Sequence, residues 1–162
     1  MTDDTYRYRV NALALIASAA FGGANMFIGT SMGVYWLSLD PLDFMNSFGS
    51  QFQRFLFTIM PLFLLMLVGI VLSARLDWQR QSVRRSWVVA IGLYVVLSLI
   101  TVGFHMPENL RLIAAEYTSE QADAARSYWL LGHVPRVILG FLIPWYVFKA
   151  ITAHWSPEPQ NA

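Results

Sequence analysis

The chain has 162 residues, of which 56% are apolar and only 13% charged, with a formal net charge of +1 and a mean hydropathy of +0.47. A soluble domain carries about a quarter charged residues, so this composition excludes an ordinary water-soluble globule and points to lipid as the solvent for much of the surface. The small net charge supplies no basic field for nucleic acid, and the lack of cysteine excludes disulfides, thiolate metal sites, iron–sulfur clusters and cysteine nucleophiles.

The first apolar run begins at Val10 and continues to about Leu39, too long for the core of a cleavable signal peptide, and it reads as a retained helix. A transmembrane helix needs about 20 mostly apolar residues. Four segments meet that need, at roughly residues 10–36, 55–74, 87–105 and 128–153, separated by polar breaks at Ser38–Arg54, Arg75–Ser86 and His105–Ser127. In hydrocarbon the backbone must satisfy its own hydrogen bonds, and the ten-residue alternation of a barrel is missing, so these spans are read as helices. The expected fold is an all-α integral membrane protein, a single domain built as a four-helix bundle.

Pro107 suits the first turn of a short outer helix over about residues 107–116, lying across the bundle mouth between spans 3 and 4. Thr118 and Gln121 have the spacing of a capping box, so the last helix is expected to start near Ser119. Pro61, Pro135 and Pro144 fall inside spans, where each removes a backbone donor. Seven basic residues (Arg7, Arg9, Arg75, Arg80, Arg84, Arg85 and Lys149) fall on the side shared by the termini, against Arg54, Arg111, Arg126 and Arg136 on the other. This bias places both termini in the cytoplasm. Nothing resembles an organelle address, so a bacterial inner membrane is the default location.

Ionisable groups at membrane depth are costly and tend to mark sites. Arg54, His105, Glu108, Asn109, His133 and Arg136 are expected to converge on the outer half of the bundle, and the inner half offers almost nothing comparable. His133, Arg136 and Gly140 share one helical face, and Gln51, Arg54, Thr58 and Pro61 form a second stripe. On span 1, Asn11, Ser18, Gly22, Asn25, Gly29 and Gly33 recur at helical steps; Gly29 and Gly33 form a GxxxG pair, a face for close helix packing or for a homo-oligomer. Asn25 reads equally as an interhelical hydrogen-bonding residue or a substrate contact. Arg126 reads as snorkelling to headgroups, and Arg54 as either that or a substrate contact. Trp36, Trp87 and Trp145 read as belt or packing residues, and His154 and Trp155 as an interfacial belt.

Two chemistries could use the polar cluster. In one, His105, Glu108 and His133 ligate a single metal ion (iron, copper or zinc), since two histidines and a carboxylate suit zinc or non-haem iron. A haem between His105 and His133 is a weaker variant, with no attachment motif. In the other, no cofactor is needed. His133 is a general base, and Arg136 and Asn109 stabilise a developing enolate or phenolate oxygen. Such a carbanion can react with oxygen directly. No Walker motif, dinucleotide fingerprint or GxSxG elbow is present.

The stretch Phe104-His105-Met106-Pro107-Glu108-Asn109, followed by Trp129-x-x-x-His133-Val134-Pro135-Arg136, resembles the small four-helix membrane family that includes the anthrone oxygenases. Gly22, Gly23, Gly29 and the Asn46–Arg54 segment are also similar. The resemblance matches Asn109 to the second Asn of an Asn-x-Pro-x-Asn-like motif, and His133 and Arg136 to a His–Arg pair. His105 stands where the family more often has Asn, and Pro135 enters the His–Arg spacing. The resemblance implies oxidation of a polycyclic phenolic molecule by oxygen.

The resulting expectation is a membrane-embedded oxidoreductase of the oxygenase kind, acting on a lipophilic small molecule in an outward-facing pocket. His133, Arg136, Asn109 and His105 are the candidate catalytic residues, and Asn25, Arg54 and Trp129 the candidate substrate contacts. The competing class is non-enzymatic: a ligand-binding or transport component, or a small subunit of a larger membrane complex.

Overall fold

Hydropathy alone dictates helices here, and a computed structural model, which describes residues 2–155 and the side chains of 4–153, contains helices and no strand among those residues. The helices are α1 (Thr2–Phe27), α2 (Gly33–Leu37), α3 (Pro41–Asp77), α4 (Gln81–Ile100), α5 (Met106–Ile113) and α6 (Ser119–Trp155). Two five-residue π-helical segments, Ile28–Met32 and Thr101–His105, join α1 to α2 and α4 to α5 without a break. Four helical stretches are therefore long and apolar enough to cross a membrane: Asp4–Leu37, Pro41–Asp77, Gln81–Ile113 and Ser119–Ala153. They are called spans 1 to 4. His154 and Trp155 fall outside the described side chains.

The helices outrun the expected spans. Most of the polar break expected at Ser38–Arg54 is helical, because Asp40 and Pro41 start α3 there and Phe44, Met45 and Phe48 turn inward onto Trp36. The expected short outer helix exists, but as a direct continuation of span 3 that ends at Ile113. Its apolar Leu112 is buried in the same cluster, which docks it on the bundle. Ala115, at φ 52°, takes the left-handed conformation that turns the chain back towards α6. The capping box is formed: Thr118 N donates to Gln121 Oε1 at 3.0 Å and Gln121 N to Thr118 Oγ1 at 3.4 Å.

Around the perimeter the order is α3, α1, α6, α4, and the α3–α4 seam is the thinnest of the four. Glycines set the tight seams. A Cβ on Gly22 would collide with the Gly140 carbonyl, so spans 1 and 4 cross there backbone to backbone. A Cβ on Gly69 would lie 2.6 Å from Ala14 Cα, which locks span 1 to span 2. Gly29 and Gly33 face His133 and Leu130 of span 4 in the same chain, so the expected oligomer face is already occupied within the chain.

The end of the bundle carrying the chain termini is filled by a large apolar cluster that includes Phe21, Met66, Trp87, Tyr94, Ile143 and Val147. That half is less featureless than expected. Asp77 is fully buried, accepts a hydrogen bond from Trp87 Nε1 at 3.1 Å and lies 3.7 Å from Arg7 Nε. Asn11 and Ser73 are buried on facing helices as well. Trp36 and Trp87 are therefore interior packing residues, whereas Trp145 is exposed on the lipid-facing surface.

Candidate functional site

Span 4 supplies the framework of the site. Nine of its buried positions, Ala122, Ala125, Trp129, His133, Arg136, Gly140, Ile143, Val147 and Ala150, follow a three–four repeat, one inward stripe along the helix, with Arg126 and Leu139 buried beside it. The helix continues through Pro135 and Pro144, so Pro135 does not disturb the spacing of His133 and Arg136. The two polar residues are placed in that stripe where an all-apolar bundle would have leucine.

Span 3 delivers its polar residues by a register change. Its buried positions run Val83, Trp87, Ala90, Tyr94 and Leu97, then His105, Asn109 and Leu112. An uninterrupted seven-residue repeat would bury positions 104 and 108. The π turn at Thr101–His105 adds one residue, so His105 and Asn109 turn inward while Glu108 is left at the periphery. There the Tyr117 hydroxyl donates to Glu108 Oε1 at 2.5 Å, and Arg111 lies 3.9 Å away from the other carboxylate oxygen. Tyr117 lies between spans 3 and 4; partial burial, and then the bond to Glu108, raise its pKa above the ordinary tyrosine value.

The inward groups are tightly interlocked. The Trp129 and His133 rings stack at 4.9 Å and 11°, and His105 stands edge-on to both, 5.0 Å from Trp129 and 5.7 Å from His133. His105 Nε2 bonds the Gly132 carbonyl at 3.1 Å, and His133 Nε2 bonds the Asn25 carbonyl at 2.9 Å. A carbonyl only accepts, so in both rings Nε2 carries the proton and Nδ1 presents a lone pair. Both Nδ1 atoms are buried, with no partner among the described residues. Trp129 Nε1 donates to Asn109 Oδ1 at 2.7 Å, which leaves the Asn109 amide nitrogen as its free donor.

Arg136 is the outstanding charge. It is only 7% exposed, and it makes no hydrogen bond and no ion pair among the described residues. Burying an unpaired cation costs several kcal/mol, so the fold retains it against stability.

Arg136, His133, Asn109 and Trp129 all line one cavity of about 470 Å³, within the range of pockets that hold drug-sized ligands. The remaining wall is almost entirely apolar and aromatic, and no Asp or Glu reaches it. Towards the end that carries the termini the wall includes Phe21 and Phe63, Phe63 meeting Phe21 at 5.6 Å and stacking on Tyr94 behind it at 4.7 Å. At the α5 end, Trp36, Phe44, Phe48 and Trp129 form a plug of edge-on rings. Arg126 pins this plug: it is buried, donates to the Trp36 and Leu39 carbonyls at 2.8 and 2.7 Å, and pairs with Asp123. It is thus a structural clasp and not a snorkelling residue, because its guanidinium is spent on two main-chain carbonyls, that of Trp36 in the last turn of α2 and that of Leu39 just beyond it.

Of the expected site residues, His133, Arg136, Asn109 and Trp129 meet at the cavity, and His105 stands directly behind them. Asn25 is buried beside them, but its side-chain nitrogen donates to the Phe21 carbonyl and it does not line the cavity; its main-chain carbonyl is what orients His133. Arg54 is exposed on the outer surface of α3, so it does not join the cluster. Glu108 is held by Tyr117 away from the two histidines, and no group of three His, Asp or Glu side chains among the described residues is arranged to hold a metal ion. The expected His105–Glu108–His133 ligand triad is therefore not assembled. The π segments and the aromatic lining from Phe48 to Phe63 were not foreseen. The interrupted buried repeat of span 3 is the sequence signal that could have shown the first of these.

Fold and site together define an integral membrane four-helix bundle with a mostly apolar cavity, whose polar wall is one unpaired guanidinium, one imidazole, the Asn109 amide and two span 3 hydroxyls. The chain belongs to the anthrone oxygenase family, whose profile matches residues 48–143, more than half of its length and all of the cavity-lining residues of spans 2 to 4. No curated protein and no solved structure matches it.

Proposed function

We propose that the protein is an oxygenase that converts a ring methylene of a fused-ring phenolic ketone, of the anthrone type, into a carbonyl. The family suggests oxygenase-like activity. The observation that carries the finer reading is Arg136, a buried cation without a counter-ion on the wall of a cavity large enough for such a molecule. An anionic ligand supplies the missing charge, and an apolar wall selects a flat aromatic body to bear it. A carbon acid beside a phenolic ketone is such a ligand once deprotonated.

In this reading His133 Nδ1 takes a proton from the ring methylene. The negative charge delocalises onto the ketone oxygen, where the Arg136 guanidinium and the Asn109 amide donate to it. The carbanion adds to dioxygen, and the peroxide takes the proton back from His133. Nδ1 then removes the second methylene proton, the O–O bond breaks, and the departing oxygen leaves as water. One substrate and one dioxygen give one new ketone and one water, so atoms and electrons balance within this chemistry. Trp129 and the Asn25 carbonyl hold the His133 ring in place, and His105 buttresses it through its own bond to Gly132. Dry aromatic surroundings strengthen each charge interaction at the oxygen.

The test is oxygen uptake by purified protein supplied with anthrone. The expected result is one dioxygen consumed per anthrone, one labelled oxygen in the ketone when the gas is ¹⁸O₂, and loss of turnover in His133→Ala and Arg136→Met. Unchanged turnover in both variants would remove the assigned roles.

A further inference from the structure

Packed aromatic rings stand beside the cavity towards both ends of the bundle, Trp36, Phe44, Phe48 and Trp129 on one side and Phe21, Phe63 and Tyr94 on the other. The cavity is open at the side. Leu56 and Met60 of α3 and Val102 of the π turn line the cavity, yet they are 39%, 47% and 67% exposed, all on the surface that faces acyl chains. They stand on either side of the α3–α4 seam, the thinnest in the bundle. No side chain in this mouth is charged, and its polar atoms are two hydroxyls on span 3. Ser98 Oγ donates to the Tyr94 carbonyl at 2.8 Å and Thr101 Oγ1 to the Leu97 carbonyl at 2.8 Å, so both hydroxyl protons are spent within the helix. Water finds only the lone pairs of these two oxygens there, whereas an aromatic ring finds a largely apolar surface.

We propose that the seam between α3 and α4 is a lateral portal, through which a flat aromatic molecule dissolved in the bilayer enters the cavity and its product leaves. The inference rests on reading the cavity as a substrate site. It adds that the substrate is taken from lipid and not from water, so affinity is set by partition as well as by contacts. The portal has an apolar rim and a polar terminus: a ring system slides past Leu56, Met60 and Val102 and brings its oxygen to Arg136 and Asn109 at the far wall. The anionic form is generated inside, since a charged molecule would not cross the rim.

The experiment uses the full chain in phospholipid vesicles with a lipid-soluble photoprobe, a trifluoromethyl-phenyl-diazirine, and mass spectrometry of the adducts. Phe57 and Leu99 face lipid and report the intact bundle, whereas Phe48 and Trp129 are buried and reachable only through the cavity. The portal predicts adducts at all four positions in the native protein. It also predicts loss of the Phe48 and Trp129 adducts, with Phe57 and Leu99 still labelled, in the Met60→Trp, Val102→Trp variant. Native adducts confined to Phe57 and Leu99 would overturn it. So would deep adducts that persist in the double variant, or deep labelling by a water-soluble quaternary-ammonium diazirine. Anthrone turnover on the same native sample separates the two readings. Deep labelling without turnover leaves the portal and removes the reaction, and turnover without deep labelling removes the portal alone.

Discussion

Arg136 carries a charge in a buried place where no carboxylate among the described residues pairs with it, and that is an expense to the protein. Replacing it with an apolar side chain of similar length should therefore separate stability from function. Arg136→Met is expected to raise Tm while lowering anthrone turnover by about 10²–10³, the cost of removing a preorganised donor from a developing oxyanion. Thermal unfolding and oxygen uptake of the same preparation check both halves. His133 and Arg136 were legible in the sequence because charged groups in a span must be accounted for, and their i, i+3 spacing put them on one face. Arg126 was misread for a related reason: spacing shows that an arginine is near a helix end, but not that the Trp36 and Leu39 carbonyls await its donors. Glu108 and Arg54 lie off the cavity for different reasons: the π turn of span 3 leaves Glu108 at the periphery, and Arg54 sits on the exposed face of α3, and spacing alone shows neither.

Two features of the helices set which groups face the site and how they fit. The π turn at Thr101–His105 selects which of two neighbouring residues faces inward, and Gly29 makes room for the base. A Cβ at Gly29 would lie 2.9 Å from His133 Cδ2, so the imidazole must shift by a few tenths of an ångström. Gly29→Ala is expected to lower turnover well beyond its effect on Tm, measured by kcat and thermal unfolding together. Gly22→Ala is the opposite case. Its Cβ would strike the Gly140 backbone, which cannot rotate away, so the span 1–span 4 crossing should weaken by about 3 kcal/mol, the upper end of overpacking costs. Thermal unfolding in detergent measures this loss. The glycines were visible in the sequence as a packing stripe, but their partner was not, because GxxxG spacing is the same whether the neighbouring helix belongs to the same chain or to another.

At the scale of the whole molecule, four spans were readable from hydropathy because lipid leaves the backbone few alternatives. Their ends were not, since the extensions at 41–54 and 106–113 are amphipathic and do not raise mean hydropathy. Only the polar wall of the cavity was readable; its apolar lining and its opening beside α3 and α4 were not, because residues such as Phe52, Leu56, Met60 and Val102 each look like ordinary lipid-facing or core side chains. The basic residues at the end shared by the termini predict that this end is cytoplasmic. The chain has no cysteine, so single substitutions such as Ser82→Cys and Ser119→Cys are clean reporters. A membrane-impermeant maleimide added to right-side-out vesicles should label Ser119→Cys and spare Ser82→Cys; the reverse pattern would invert the orientation.

The central claim is that the cavity is built for an aromatic anion held by Arg136, and ligand-induced stabilisation tests it most directly. Tm of the native protein and of Arg136→Met is measured with increasing amounts of a fused-ring phenolic ketone. The account predicts that the ligand raises Tm of the native protein steeply, because it supplies the missing counter-charge, and leaves Arg136→Met almost unmoved. An equal rise in both proteins would show that the ligand binds without the guanidinium, and would contradict the account.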